Sequence, residues 1–325
     1  MRTRVATVLL AIVMAVAGCN AASTSTPPPT VTIAPAPVRP AGAQDITTTP
    51  KAPNDDCDDR EASLRPGPQP SPKAMPPGST MDRIAARGRL IVGVDQSTYY
   101  FGFRDPSSVE LKGFDIDLAR ETARAIFGDP DQIELQVVDA SERESALESG
   151  RVDLVVRTYS ITCDRKKVVD FSTTYFYANQ RILVVKGSQI SSAADLLGKR
   201  VCAVSGTTSL PRLLAVNPSL TVVGVANWTD CLLMLQQGQV DAISTDDAVL
   251  AGLVRQDPNV EMVGPSLGIE PYGVGIKKGN DDLVRFVNGV LADLREDGTW
   301  ERLYNRWLLT PLGQSPGPPT PRYQD

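Results

Sequence analysis

The sequence predicts an α/β fold of two lobes joined by a double hinge, and three observations point to it. From residue 80 onward, short apolar runs alternate with helical stretches, the pattern of a mainly parallel sheet covered by helices. Two such sets follow one another over roughly 240 residues, enough apolar material for two small lobes. A last strand and a long amphipathic helix then return the chain to the first set, so the boundary between lobes is crossed twice.

Arg2 and Arg4 precede an apolar run over residues 5–16, too short to span a bilayer comfortably, and residues 1–18 read as an export signal. The run stops at Val16-Ala17-Gly18-Cys19, where small residues fit a peptidase cleft and the Cys19 thiol is placed to accept a lipid. This stretch resembles the lipobox of bacterial lipoproteins. The resemblance implies a mature chain beginning at Cys19 and held on the outer face of the cell membrane by several dozen acyl methylenes, at roughly 0.8 kcal/mol each. The alternative is an ordinary secretory signal with a chance cysteine. Residues 19–79 are dominated by Pro, Thr, Ala and Ser, as in Pro27-Pro28-Pro29 and Pro66-Gly67-Pro68, and are expected to form a disordered linker spanning on the order of 45 Å. Downstream, no apolar run approaches about 18 residues, so any task across the membrane falls to a partner.

The first lobe is expected over residues 80–179 plus 275–312, the second over 180–274, and a flexible tail over 313–325. Arg89-Leu90-Ile91-Val92-Gly93-Val94 is a first buried strand. Asp115 can cap a helix whose Leu118, Thr122, Ala123 and Ile126 share one face, and Gly128 can end it. Strands at 133–138 and 152–156 follow, separated by a helix that closes at Gly150. The second set has strands at 182–185, 201–204, 221–225, 242–244 and 260–263. A strand near Tyr272-Gly273-Val274-Gly275-Ile276 precedes a helix with Leu283, Phe286, Val287, Val290, Leu291 and Leu294 on one apolar face. Crossings near 178–182 and 269–274 make the double hinge.

Composition excludes several function classes. With 33 basic against 38 acidic residues there is no electrostatic footprint for a phosphate backbone, so nucleic acid is not an expected ligand. Histidine is absent, which removes His-assisted triads and most zinc or copper sites. Cys57, Cys163, Cys202 and Cys231 form an even set in an exported chain, which favours two disulfides. Spacing alone does not pair them. Cys202 and Cys231 fall in the same lobe and are expected to join, leaving Cys57 for Cys163 and pinning the linker's end to the core.

Several short motifs occur in a telling order: Leu90-Ile91-Val92-Gly93-Val94-Asp95, Gly113-Phe114-Asp115-Ile116-Asp117-Leu118, Ile161-Thr162 with Arg165, and Val169-Asp170-Phe171-Ser172. Gly206-Thr207-Thr208, Gly238-Gln239-Val240-Asp241-Ala242 and Asp297-Gly298-Thr299-Trp300 follow. Over residues 88–307 the chain resembles the polar amino acid branch of bacterial periplasmic solute-binding proteins, the glutamine- and glutamate-binding kind that serve ABC importers. The resemblance implies a type II periplasmic-binding-protein fold with a ligand cleft between its lobes. A monomer with no catalytic residue, no cofactor and no metal is expected.

A free amino acid carries a carboxylate and an ammonium, so a selective cleft needs a forked cation and an anion. Arg165, just beyond a strand end, is the candidate carboxylate clamp, against the alternative of a solvated charge in Asp164-Arg165-Lys166-Lys167. Ser160 and Thr162 alternate at strand spacing and can donate to the same ligand. Thr207 and Thr208 follow a strand and open a helix, where free N–H groups face an anion, although an ordinary capped turn reads the same way. Of Asp246 and Asp247, spacing favours Asp246 for the ammonium while its neighbour caps a helix. Asp95 resembles the family position that contacts ammonium or amide groups; the alternative is a turn residue.

Departures from the family pattern bear on specificity. Thr98 and Ala140 stand where many relatives carry an aromatic lid, and Arg157 stands where a small residue is common. A second cation near the pocket is costly unless an anion answers it, which points to aspartate or glutamate, with their amides as further ligands. Arg157 can instead pair with Asp95 or Glu110 and leave a neutral ligand preferred. The expected partners are a free amino acid and a membrane ABC permease, with a membrane sensor protein as the alternative. A secreted dehydratase acting on prephenate or arogenate is an enzymatic rival, with Glu110 or Glu270 as its proton donor.

Overall fold

Among the described residues, strands of the two predicted sets gather into separate sheets. In the first lobe Leu90–Val94 lies parallel to Ile133–Val137 on one side and Leu154–Val155 on the other. Gly275–Lys277 pairs antiparallel with Leu154–Val155 and, on its other side, with Val169–Phe171 at the sheet's edge. In the second lobe Arg200–Val204 runs parallel to Thr221–Val225 and Ala242–Asp246. Leu90, Val92 and Val94, like Val201 and Val222, are wholly buried, as strands covered on both faces require. The computed structural model describes residues 38–46, 53–54, 57–216, 218 and 220–324, so the expected export signal and Cys19 lie outside the described residues.

Two long antiparallel strands, Phe176–Val185 and Val260–Tyr272, join the lobes. Their far ends belong to the second sheet, while Phe176, Ala178 and Tyr272 pack in the apolar core of the first lobe. The short strands expected at 182–185 and 260–263 are therefore one end of each. Their continuation was hidden by the polar residues Asn179, Gln180 and Ser266. Gln180 is buried nonetheless, because its amide donates to the Ser209 carbonyl and the Ser244 hydroxyl.

Helix Phe114–Phe127 ends at Gly128 in the left-handed region, as expected, but Asp115 does not cap it. The N-cap position is Gly113, at φ 133°, where a Cβ would stand 2.1 Å from the Phe101 carbonyl oxygen. Asp115 points inward instead and accepts from the Thr158 N–H and the Tyr175 hydroxyl. Helix Asp281–Glu296 buries Leu283, Phe286, Val287, Val290, Leu291 and Leu294 against the same core.

The Pro-rich segment departs from its expected disorder wherever it is described. Gln44–Ile46 adds an edge strand antiparallel to Thr221–Val225. Ala62, Ser63 and Met75 are buried, and Ser79 caps helix Thr80–Arg87 by accepting from the Asp82 N–H. The tail is likewise held: Ser63 bridges Tyr323, and Arg295 donates to the Pro319 carbonyl. These stretches have no core of their own and borrow that of the lobes, which composition does not reveal. Disulfides join Cys57 to Cys163 and Cys202 to Cys231.

Candidate ligand-binding cleft

One cavity is lined from both lobes. Arg143, Arg157, Thr158, Ser160 and Arg165 come from the first; Thr207, Thr208, Trp228 and Asp246 face them from the second. Strand ends and helix starts put them there. Thr207 and Thr208 precede helix Ser209–Val216, Asp246 ends strand Ala242–Asp246, and Arg165 lies on the one-turn helix Cys163–Lys166. The walls leave only about 10 Å³ between them. They meet directly at Gly206, whose carbonyl accepts from Arg143 Nη2 at 2.9 Å and Arg165 Nη2 at 3.0 Å.

Three guanidinium groups dominate the first-lobe wall. Arg165 also donates to the Ser160 carbonyl at 2.7 Å, sits 3.4 Å from Glu144, and lies over the Tyr159 ring at 4.8 Å. Arg143 lies over the same ring at 4.1 Å and donates to the Ala140 carbonyl. Burial, then the charge of Arg165, pushes the Arg143 pKa down to about 9. Arg157 is paired at 3.2 Å with Asp95, both buried. Burial alone would raise the Asp95 pKa, but Arg157 and hydrogen bonds from Thr98, Ser97 and Gln96 bring it below the ordinary value.

On the opposite wall Asp246 is buried, accepts from the Tyr272 hydroxyl through Oδ2, and leaves Oδ1 without a hydrogen-bond partner. Burial, then the nearby charge of Glu270, holds its pKa well above the ordinary carboxylate value. Glu270 is itself engaged, accepting at 3.0 Å from both Thr208 Oγ1 and Arg212 Nε. Asp247 turns away and accepts from the backbone N–H groups of Asn179 and Ala248.

The structure thus brings Arg157, Ser160, Arg165, Thr207, Thr208 and Asp246 to one cavity. Two other sequence candidates stand behind its wall. The Thr162 hydroxyl caps the Arg165 helix by accepting from the Arg165 N–H, and Asp95 answers Arg157. Sequence reasoning missed Arg143 and Trp228. Arg143 lies between two glutamates and reads as a solvated charge; Trp228, in the first turn of helix Trp228–Gln236, carries no polar signature at all.

The family of bacterial extracellular solute-binding proteins, family 3, matches residues 90–310. The chain belongs to this family. Among its relatives is the glutamine-binding protein of an ABC transporter in Bacillus subtilis, 37% identical over 230 residues, covering 70% of this chain and 84% of the relative. The glutamate/aspartate import solute-binding protein of Salmonella typhimurium is 28% identical over 246 residues, covering 72% and 81%. The crystal structure of the solute receptor for L-cysteine of Neisseria gonorrhoeae superposes with a TM-score of 0.69 at 28% identity, covering 72% of this chain and 96% of that one. This solute-binding protein accordingly has the two-lobed type II periplasmic-binding-protein fold. Its relatives bind solutes and are not enzymes, and the dehydratase reading falls with that finding.

Proposed function

We propose that this solute-binding protein captures an acidic amino acid, aspartate or glutamate, by closing its lobes and delivers it to an ABC importer, held near the membrane by lipid on Cys19. The observation that carries the reading is Arg143. Its contacts are two backbone carbonyls and the Tyr159 ring, with no carboxylate at ion-pair distance among the described residues. A buried cation without an ion-paired anion is costly, and Arg165 beside it adds repulsion that the more weakly felt charge of Glu144 does not offset. Arg157, by contrast, is already answered by Asp95, so the acid-selective role expected of Arg157 passes to Arg143.

In this reading Arg165 takes the α-carboxylate, Arg143 the side-chain carboxylate, and the unpartnered Oδ1 of Asp246 the ammonium. The donors that both arginines now give to Gly206 become available to the ligand. Ligand held on the first lobe gains Thr207, Thr208 and Asp246 only when the lobes meet, so its binding favours the closed form. Relatives named for glutamine and for glutamate or aspartate agree with a polar amino acid.

Calorimetry with aspartate, glutamate, asparagine and glutamine tests the assignment. The acids are expected to bind at least about tenfold more tightly than the amides. Arg143→Met should weaken the acids by about 2 to 3 kcal/mol and the amides by much less. Amides binding as well as acids, or an equal loss for all four, would refute it.

A further inference from the structure

Residues 54 and 57–64 lie upstream of the family match, which starts at residue 90, yet they hold two parts of the binding apparatus at once. One is the one-turn helix Cys163–Lys166 that carries Arg165. Cys57 is bonded to Cys163, the Asn54 carbonyl accepts from the Cys163 N–H at 3.0 Å, and Lys166 Nζ donates to the Ala62 carbonyl at 2.8 Å. The other is the pair of strands joining the lobes. Glu61 accepts from the Tyr177 hydroxyl and, at 3.1 Å, from the Thr174 hydroxyl, while Arg60 donates at 3.2 Å to the Ile269 carbonyl. Tyr177 and Ile269 sit on opposite members of that pair, across from Pro271 and Asn179.

The segment is anchored at its far end as well. Ser63 donates to the Phe171 carbonyl at 2.7 Å and to the Arg322 carbonyl, and accepts from Asn288 at 2.8 Å. A single helical turn has no stability of its own, so the aim of Arg165 depends on what grips its helix from outside. A twist of the joining strands during closure would reach the same segment through Glu61 and Arg60.

We propose that residues 57–64 are a positioning brace that locks the Arg165 helix to the joining strands, with Cys57 and Glu61 as positioning residues and Arg165 as the group that meets ligand. The inference rests on the amino acid reading for the ligand-meeting role of Arg165 and for the choice of probe, L-glutamate.

Its test compares full-length wild type with three disrupting variants, Cys57→Ser with Cys163→Ser, Glu61→Ala, and all three changes together, and with Glu61→Gln as a control. Hydrogen exchange at residues 166–168, whose amides close the Arg165 turn, is followed without ligand, and glutamate affinity is measured by calorimetry. Cutting either end is expected to speed exchange at 166–168 by about tenfold and weaken binding by about five- to twentyfold, and the combined variant should be no worse than the more affected parent. Glu61→Gln keeps an acceptor for Tyr177 and should behave as wild type. A brace that is merely structural would lower the melting temperature and leave exchange at 166–168 and affinity unchanged, which would overturn the proposal. So would strictly additive losses. If the cysteine variant does not fold, Glu61→Ala alone decides. If wild type binds no glutamate, the exchange arm still decides, so failure of the ligand reading is told apart from failure of the brace.

Discussion

Gly206 of the second lobe packs so closely on Ser141 of the first that a Cβ built on it would lie 2.5 Å from the Ser141 Cα. Gly206 also has φ of 77°, where any other residue is strained. The strain is present whether or not the lobes meet; the collision exists only when they do. Gly206→Ala is expected to cost about 1 to 2 kcal/mol of ligand-free stability through the backbone alone. It should weaken ligand binding far more, by about a hundredfold, since the obstructing atoms are backbone and cannot turn aside. Small-angle scattering checks the cause: saturating glutamate should compact the wild type and leave the variant extended.

Gly252 makes the matching contact on the other flank, where a Cβ would stand 2.8 Å from the Tyr99 carbonyl oxygen. It lies inside helix Asp247–Gln256 at ordinary helical angles, so alanine there strengthens the helix by about 1 kcal/mol. Gly252→Ala should therefore raise the ligand-free melting temperature and lower affinity. Opposite signs from one substitution separate closure from stability, and a loss or gain in both would contradict this role for the glycine.

How far these features could be read from sequence depends on what stabilises them. The buried strands were legible because Leu90-Ile91-Val92 and Val201-Cys202-Ala203-Val204 are continuous apolar runs, and a strand covered on both faces needs nothing else. The cavity positions of Arg165 and Asp246 were legible for a related reason, since polar groups that follow a buried apolar run face the gap between lobes, Asp246 as the last residue of its strand and Arg165 on the one-turn helix beyond Leu154–Val155. Arg143 was not, because its surroundings in the fold, the Tyr159 ring and the Gly206 carbonyl, come from residues 16 and 63 positions away. Residues 57–64 failed for the same cause: the bonds that tie them to the lobes reach distant parts of the chain, and their own composition argues only for a linker.

With Asp246 taking the ligand ammonium, as proposed, proton release becomes a readout of that contact. Burial and Glu270 hold its pKa well above the ordinary value, so a proton is retained where a free carboxylate would have lost it. An arriving ammonium favours the ionised form, lowers that pKa and expels the proton. Affinity for glutamate should thus rise with pH until Asp246 ionises without ligand. Below that point, titrations in buffers of different ionisation heat should show net proton release. Asp246→Asn should lose most affinity together with the buffer dependence. Release that persists in this variant would place its source elsewhere.

Asp115 gives the fold a pH dependence of its own. Burial, against hydrogen bonds from Thr158 and Tyr175, raises its pKa to about 7, with Asp95 adding to the rise and Arg157 opposing it. In the unfolded chain an aspartate titrates near 3.9. Between about pH 4 and pH 7 the folded state consequently holds a proton that the unfolded state has lost. The sign follows: stability contributed by this group is complete below about pH 4 and declines as pH rises, by at most about 1.4 kcal/mol per unit, levelling off above pH 7. Asp115→Asn is neutral at every pH and keeps one oxygen for the Thr158 N–H. The difference in unfolding free energy between variant and wild type, from urea melts at pH 4.5, 6 and 8, should therefore shift in favour of the variant as pH rises. Because Asp246 titrates in both proteins, it cancels from that difference, and a constant difference across the three pH values would show that Asp115 is ionised throughout.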